Sequence, residues 1–263
     1  MVARVVVFGA GFTGARVAAL ATGRGEEVVA VVRSAERAAS LAGEPFRVVR
    51  DPVVDVARVF VGAQTHAVIC FPPDGSTDAA LAPLLAHAAA VSYVSTTGVY
   101  GDREGRVDDA TPVAAGPSQR LDAEEAYRRV GGTVLRAPGI YGPERGLHVR
   151  VRSGAHALPG DGANVMSRIH VDDLAELLLA SRAVHGETFV VADLEPAPQR
   201  DVVAWICREY GCPMPPSVPP EQVHESLRRD RRIDASRALS VLGVTLRHPT
   251  YREGMSRAAT TRH

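Results

Sequence analysis

The chain has 263 residues, which suits one large α/β domain or a domain with a small lobe, and 46% hydrophobic with 23% charged residues is an ordinary globular composition. Its 30 basic side chains balance 30 acidic ones, so net charge favours neither nucleic acid nor an anionic membrane as a partner. No apolar run approaches the roughly 18 residues that span a bilayer, and the N-terminus lacks the layout of a signal peptide, so we expect a cytoplasmic protein.

In the first half of the chain, short valine-rich segments alternate with helical stretches. This alternation predicts a parallel sheet with both faces covered. The predicted strands are residues 4–8, 28–32, 47–50, 67–71, 91–95, 133–136 and 188–191. The predicted helices are residues 14–22, 35–41, 78–90, 121–130 and 171–181. The fold class is therefore α/β, a doubly wound parallel sheet of the Rossmann type with a small C-terminal substrate lobe.

The composition of the chain changes after about Pro138, where Gly, Pro, Arg and His become frequent. Five prolines within residues 212–220 predict an extended connector, because proline interrupts both helices and sheets. We predict a dinucleotide-binding core over residues 1–138, to which 165–195 return. Residues 139–164 and 196–263 then form the substrate-binding lobe, over the sheet edge where such folds bind ligands.

Cysteines and histidines give no sign of a metal site. Cys70, Cys207 and Cys212 form no C-x-x-C pair, and the nine histidines lack ligand spacing. We expect incidental thiols in a reducing compartment and no metal.

The first predicted strand leads directly into a dinucleotide motif. Gly9, Gly11 and Gly14 form G-x-G-x-x-G between a strand and a helix, the context that gives this motif meaning. Gly9 permits a tight turn, Gly11 lets the backbone approach a pyrophosphate, and Gly14 allows close helix–strand packing. The amides of Phe12 and Thr13, at the positive helix end, are expected to hold the phosphates. The alternative is an ordinary glycine-rich turn.

The end of the second strand discriminates between the two nicotinamide cofactors. NAD enzymes usually place an acidic residue there to bind the ribose 2′-hydroxyl. This chain has Arg33 instead, with Arg37 one turn later. A guanidinium suits a 2′-phosphate, so we expect NADP(H), with NAD and a merely solvated Arg33 as alternatives.

Four segments in order resemble the extended short-chain dehydrogenase/reductases, which include NAD-dependent epimerases and dehydratases. They are the glycine motif, Tyr93 to Gly101 (YVSTTGVYG), Leu135 to Pro143 (LRAPGIYGP), and PGDG at 159–162 leading to RIHVDD at 168–173. The resemblance implies that Thr96 hydrogen-bonds the reacting oxygen. It also implies that five positions line the cofactor: Asp51, Phe71, Pro72, Pro138 and Gly139.

The chain departs from this family at its acid/base pair. Members carry Tyr-x-x-x-Lys, in which the Tyr is the general acid/base and the Lys lowers its pKa and holds the ribose. Here Gly116 falls at the Tyr position and Arg120 at the Lys position. Arg120 can hold a ribose but cannot titrate. The pattern is similar to an atypical branch that lacks the pair. Indeed, the chain contains no lysine.

Three functions remain open at this point. The first is an NADP-dependent oxidoreductase acting on a small carbonyl or hydroxyl substrate, with Tyr141, Tyr100 or Asp102 as the replacement proton donor and Tyr141 ranked first. The second is a non-catalytic NADP(H)-binding sensor. The third is a sugar-nucleotide epimerase or dehydratase whose substrate phosphates meet Arg150, Arg152 and Arg168. The expected partner is a small-molecule substrate, and a homodimer stays open beside the monomer.

Overall fold

The strands and helices of the fold are defined over residues 2–260, which the computed structural model describes. The strands in chain order are β1 Arg4–Phe8, β2 Glu27–Val31, β3 Arg47–Val49, β4 Thr65–Ile69, β5 Ala90–Thr96, β6 Gly105–Val107, β7 Thr133–Ala137, β8 Gly139–Tyr141, β9 Leu158–Pro159, β10 Val165–Met166, β11 Arg168–His170, β12 Thr188–Val190, β13 Ala197–Pro198, β14 Ser217–Val218 and β15 Arg231–Ile233.

Helices separate most of these strands. They are α1 Phe12–Gly23, α2 Ala35–Ser40, α3 Val53–Phe60, α4 Ser76–Leu81, α5 Gln119–Arg129, α6 Leu147–Arg152, α7 Val171–Ala180, α8 Gln199–Tyr210, α9 Ser236–Leu242, α10 Tyr251–Met255 and α11 Arg257–Thr260. Short 3-10 helices occur at Ala82–Leu85, Thr97–Tyr100, Ser181–Ala183, Pro220–Gln222 and Glu225–Leu227. Among the described helices, none is long and apolar enough to cross a membrane.

Seven strands form one fully parallel sheet in the order β12-β7-β5-β4-β1-β2-β3. The chain builds outward from β1 to β3 and then crosses back to place β4 on the other side of β1. A crevice opens at such a reversal of strand order, where the carboxyl ends of β1 and β4 lie side by side. The predicted doubly wound α/β fold is confirmed.

Both faces of this sheet are buried, which explains its valine-rich strands. One core contains Val5, Val7 and the apolar face of α7, and the other contains Val6, Phe8 and Tyr93. Alternate residues of β1 therefore enter opposite cores.

The main differences from the predicted elements arise at prolines and in the second half. The predicted helix over 78–90 is two shorter pieces, α4 and the 3-10 helix Ala82–Leu85, because Pro83 lacks an amide proton for the α-helical ladder. Six of the described helices were not predicted: α3, α6, α8, α9, α10 and α11. The proline-rich segment is extended, but its Ser217–Val218 also pairs in parallel with Leu158–Pro159.

A third core lies beyond the sheet. Tyr141, Val202, Ile206, Tyr251 and others pack there, drawn from β8, α8 and α10. This packing is compatible with the proposed substrate lobe, whose boundaries remain a proposal. The predicted limits at residues 1 and 263 lie outside the described residues.

A buried ion pair ties α5 to the sheet. Arg136 of β7 donates to Glu124 at 2.7 Å, with side-chain exposures of 7% and 0%. The Ser95 hydroxyl also donates to Glu124. Two Arg136 nitrogens contact this carboxylate, and the remaining one donates to the Tyr100 hydroxyl at 3.1 Å. Each polar atom of this network thus has a partner, which buried charges require.

We expect Glu124→Ala to lower the free energy of unfolding by about 3–5 kcal/mol, because it leaves the Arg136 guanidinium buried and uncompensated. Glu125→Ala on the same helix is the matched control. It removes only surface pairs with Arg128 and Arg129 and should cost less than about 1 kcal/mol. Urea denaturation of both variants measures the difference. Equal losses would show that the buried pair has no special weight.

Candidate functional site

The glycine turn follows β1 and packs against the residues that follow β4. Gly9 has a left-handed φ of 91°, and a Cβ there would lie 2.9 Å from the backbone nitrogen of Phe71. A Cβ on Gly14 would collide with the carbonyl oxygen of Gly9. A Cβ on Gly11, in contrast, would meet no atom within 4 Å. Two glycines are therefore required by packing, while the third leaves open space above the turn.

That open space faces the first turn of α1. No side chain caps this helix at Gly11, and none of its first-turn residues is acidic. Unpaired amides and the helix dipole make such an end favourable for an anion. Phe12 and Thr13 are the residues whose amides begin the helix. The turn thus fits the pyrophosphate of a dinucleotide.

The two arginines after β2 have different roles. Arg37 donates to the carbonyl oxygens of Ala10 and Gly11 at 2.8 and 2.9 Å, so its guanidinium holds the glycine turn in place. Arg33 is exposed, and no hydrogen-bond or ion-pair partner faces it among residues 2–260. Arg33 is therefore the arginine at this strand end with its charge available to a ligand. The clamp formed by Arg37 was not predicted.

The other predicted cofactor contacts lie along the same carboxyl edge. Asp51 is exposed after β3, and Phe71 and Pro72 follow the end of β4, separated from it by one residue. Pro138 is half-buried and Gly139 is exposed at the end of β7. Because all strands of the sheet are parallel, these residues, which follow β3, β4 and β7, lie at the same edge of the sheet as the glycine turn. Their contacts with a cofactor remain predictions.

Phe12 connects the glycine turn to the segment after β8. A Cβ on Gly142 would lie 3.1 Å from the Phe12 ring, and the Arg145 guanidinium stands 5.3 Å from the centre of that ring. The ring therefore covers one side of the crevice between the motif and the loop that follows Tyr141.

Thr96 ends β5 and caps the 3-10 helix Thr97–Tyr100. Its hydroxyl oxygen accepts from the amide of Gly98 at 3.0 Å. The hydroxyl hydrogen is left to donate, since a hydroxyl has one donor and two acceptor positions. Thr96 is half-buried at the carboxyl edge, so it can present this hydrogen to a ligand oxygen.

Both predicted replacement tyrosines are engaged with protein groups. The Tyr100 hydroxyl accepts from Arg136 at 3.1 Å and donates to the carbonyl of Asp108 at 3.5 Å. The Tyr141 hydroxyl donates to the carbonyl of Thr250 at 3.5 Å and packs against Gly254. Burial raises the pKa of each. Each ring is 2% exposed, so neither hydroxyl is presented to solvent.

The positions that depart from the family pattern are also well defined. Gly116 is exposed with a left-handed φ of 109°. Arg120, at the start of α5, donates to the Tyr93 hydroxyl at 2.8 Å and to the carbonyl of Val94 at 3.3 Å. Burial raises the pKa of Tyr93, although Arg120 opposes this effect. Arg120 therefore brings a permanent charge to the edge of β5, near Thr96.

Two lobe arginines that were not predicted lie over the Thr96 turn. Arg231 donates to the carbonyls of Thr97, Arg103 and Gly101. A Cβ on Gly98 would lie 3.6 Å from a terminal nitrogen of Arg229. The basic run at residues 228–232 was the available signal in the sequence. Only the fold shows that this run docks beside Thr96.

The arginines predicted to meet substrate phosphates are placed differently. Arg150 and Arg152 are exposed on α6. Arg168 is 5% exposed and lies 5.2 Å from the Tyr251 ring centre, with both terminal nitrogens unpaired. The buried carboxylate of Asp193 is also unpaired, and burial, opposed by Arg168, raises its pKa to about 7. Arg168 is thus an interior residue.

One group of side chains with metal-ligand chemistry lies near the start of α7. The ligand atoms of His170, Asp172 and His248 lie within 4.8 Å of one another. Arg16, however, already pairs with Asp172 at 2.6 Å, and the two imidazole rings stack at 3.7 Å. Burial lowers the pKa of His170 to about 4. We assign these contacts to the packing of the C-terminal segment against α7.

Comparison with known proteins found one curated relative over part of the chain and similar solved structures over nearly all of it. No protein-family profile matches it. A 3-diazoavenalumate denitrifying reductase from a Streptomyces species is 32% identical over 166 residues, covering 56% of this chain and 53% of that protein. The chain thus matches about half the length of this curated relative.

Solved structures match over nearly the whole chain. A protein of unknown function from Silicibacter pomeroyi DSS has a TM-score of 0.83 and 29% identity, covering 98% of both chains. The human epimerase family protein SDR39U1, solved with NADPH, has a TM-score of 0.76 and 16% identity, covering 99% of this chain and 100% of that one.

Proposed function

We propose that this chain, which has the fold of the extended short-chain dehydrogenase/reductases, is an NADP(H)-dependent reductase of a small substrate. It works without the family's Tyr/Lys pair. The observation that carries the proposal is the uncapped, open turn at Gly11 on the same sheet edge as the donor Thr96. A reductase among its relatives and a neighbour solved with NADPH support it.

The residues of the crevice have distinct roles toward the cofactor. The amides of Phe12 and Thr13 hold the pyrophosphate, Arg33 pairs with the 2′-phosphate, and Arg120 holds the nicotinamide ribose. Asp51, Phe71, Pro72, Pro138 and Gly139 line the remaining surface. A bound dihydronicotinamide supplies a hydride. The other steps depend on side chains of this chain.

The substrate oxygen is positioned by Thr96. Its free hydroxyl hydrogen donates to the oxygen that gains electrons, while the Gly98 amide orients the hydroxyl. The proton that completes a carbonyl reduction comes from water or from the exposed Asp102, because Tyr100 and Tyr141 are occupied and Gly116 has no proton to give. Loss of a positioned acid typically costs about 10²–10⁴-fold in rate, so carbonyl turnover is slow.

A second candidate is reductive loss of nitrogen from a diazonium or diazo compound. The Streptomyces relative is named for such a reaction. A diazonium substrate gains a C–H bond from the hydride, the C–N bond breaks, and N₂ leaves with that bonding pair. Because this step consumes no proton, the absence of a Tyr/Lys pair does not slow it. Reductive loss of nitrogen is therefore favoured by the absence of a proton donor at the Tyr position.

We expect Arg33→Ala to weaken NADPH binding about ten- to a hundredfold and to leave NADH binding unchanged. A charge-assisted contact contributes about 1.5–3 kcal/mol, which is equivalent to that factor. Fluorescence titration with both cofactors measures the effect. Glu36→Ala, an exposed neighbour on α2, is the control. Equal wild-type affinities for NADH and NADPH would contradict the assignment.

The reaction is tested with 4-deuterated NADPH and a panel of aldehydes, ketones and aryl diazonium salts. We expect deuterium in the product, a rate lowered at least tenfold by Thr96→Ala on carbonyl substrates, and little change in Tyr141→Phe. Loss in Tyr141→Phe or Tyr100→Phe would instead identify a protein proton donor. NADPH binding without any turnover would favour a sensor, and redox-silent turnover of a nucleotide sugar would favour an epimerase.

A further inference from the structure

The segment that covers the Thr96 turn carries an arginine with unused donors. Arg229 donates from one terminal nitrogen to Glu225 at 2.9 Å. Its Nε is buried without a partner, and its other terminal nitrogen faces no acceptor among residues 2–260. A guanidinium has five donor hydrogens, so most of those on Arg229 are unused.

A gap separates this guanidinium from Thr96, and it exists because residue 98 is glycine. A Cβ at Gly98 would lie 3.4 Å from the Thr96 hydroxyl oxygen and 3.6 Å from a terminal nitrogen of Arg229. The backbone of Gly98 lies outside the left-handed region, so its conformation does not demand glycine. The space between the two side chains at this point is therefore about the size of one methyl group. One polar end of a ligand that enters it can contact both Thr96 and Arg229.

The backbone that carries Arg229 is held firmly. The amide nitrogen of the Asn164 side chain donates to the carbonyls of Leu227 and Arg229 at 2.9 and 3.2 Å. Two residues later, β15 pairs in parallel with β6. The guanidinium is thus preorganised, and a ligand that uses it does not have to order the segment first.

Local charge favours an anion in this gap. Arg231 adds a second positive charge nearby, which the carboxylate of Asp102 partly offsets, and its own donors are used by three carbonyls. The carboxylate paired with Arg229 belongs to Glu225, whose side chain is 60% exposed. Arg229 is only 23% exposed, so its partner Glu225 is the solvated side of the pair. Because Glu225 can return to water at little cost, a carboxylate that enters the gap competes with it on favourable terms.

We propose that Arg229 binds a carboxylate of the substrate, held next to the group that Thr96 contacts. The inference rests on the proposed function for the reaction itself and adds the class of substrate: an organic acid whose carboxylate lies one or two bonds from the reacting centre, as in a 2-oxo acid. The planar fork of a guanidinium matches a carboxylate in two parallel hydrogen bonds.

The test compares benzoylformate with its methyl ester by calorimetry, on the free protein and on its NADP⁺ complex. We expect the acid to bind about ten- to a hundredfold more tightly than the ester, the range of a charge-assisted contact. Arg229→Gln should abolish this preference, whereas Arg228→Gln, an exposed neighbour, should keep it. Gly98→Ala should weaken acid and ester alike by filling the gap.

A further variant gives an effect in the opposite direction. Glu225→Gln removes the competing carboxylate and should tighten benzoylformate binding severalfold without changing NADPH affinity. Equal binding of acid and ester, no binding of either, or an unchanged preference in Arg229→Gln would overturn the inference. Tighter binding of uridine diphosphate glucose than of benzoylformate would also overturn it, in favour of a phosphate.

The proposed function can fail separately. NADPH titration of the same samples tests it without the acid. If NADPH binds and the acid shows no preference, the inference fails while the reductase proposal stands. If NADPH does not bind, the reductase proposal fails, and the titrations of the free protein still decide whether Arg229 selects a carboxylate.

Discussion

Helix α1 begins at Gly11 with no side chain to accept its first amide protons. Its start is pressed against the ends of β1 and β4, because Gly9 approaches Phe71 and Gly14 approaches Gly9 more closely than any side chain would permit. Arg37 holds the carbonyl side of the same turn. The result is a rigid set of amide donors aimed at open space. The predicted roles of Phe71, Pro72 and Thr96 depend on this turn, since a dinucleotide held there extends across the ends of β4 and β5.

The cations around this crevice all belong to arginines. Arg120, Arg229 and Arg231 supply fixed positive charge and directed hydrogen bonds, but a guanidinium does not release a proton at any working pH. The family's usual arrangement couples a lysine to a titrating tyrosine, and this chain has neither at those positions. Its site is thus suited to binding anions and orienting electron transfer as hydride, and poorly suited to moving protons. That bias is the common basis of both proposed reactions, slow carbonyl reduction and reductive loss of nitrogen.

The sequence was most informative where local backbone chemistry determines structure. The buried strands and the glycine turn were predictable, because continuous valine runs and left-handed or close-packed positions admit few alternatives. The motif around Thr96 was placed correctly at the end of β5, although its role is untested. The sequence was least informative where distant segments meet. Nothing local to Arg229 shows that it lies beside Gly98, and the residues around Gly254 do not reveal that it packs on the Tyr141 hydroxyl. Tyr141 ranked first by motif position, yet its surroundings are set by a contact more than a hundred residues away.

Cofactor binding depends most directly on the open space above Gly11, and one titration tests this dependence. Gly11→Asp places a carboxylate where the pyrophosphate would lie, while Gly23→Asp places the same side chain in open space at the other end of α1. NADPH binding is measured by fluorescence on variants whose circular dichroism matches the wild type. We expect Gly11→Asp to lose binding and Gly23→Asp to retain it. Wild-type NADPH affinity in a folded Gly11→Asp protein would contradict the central claim.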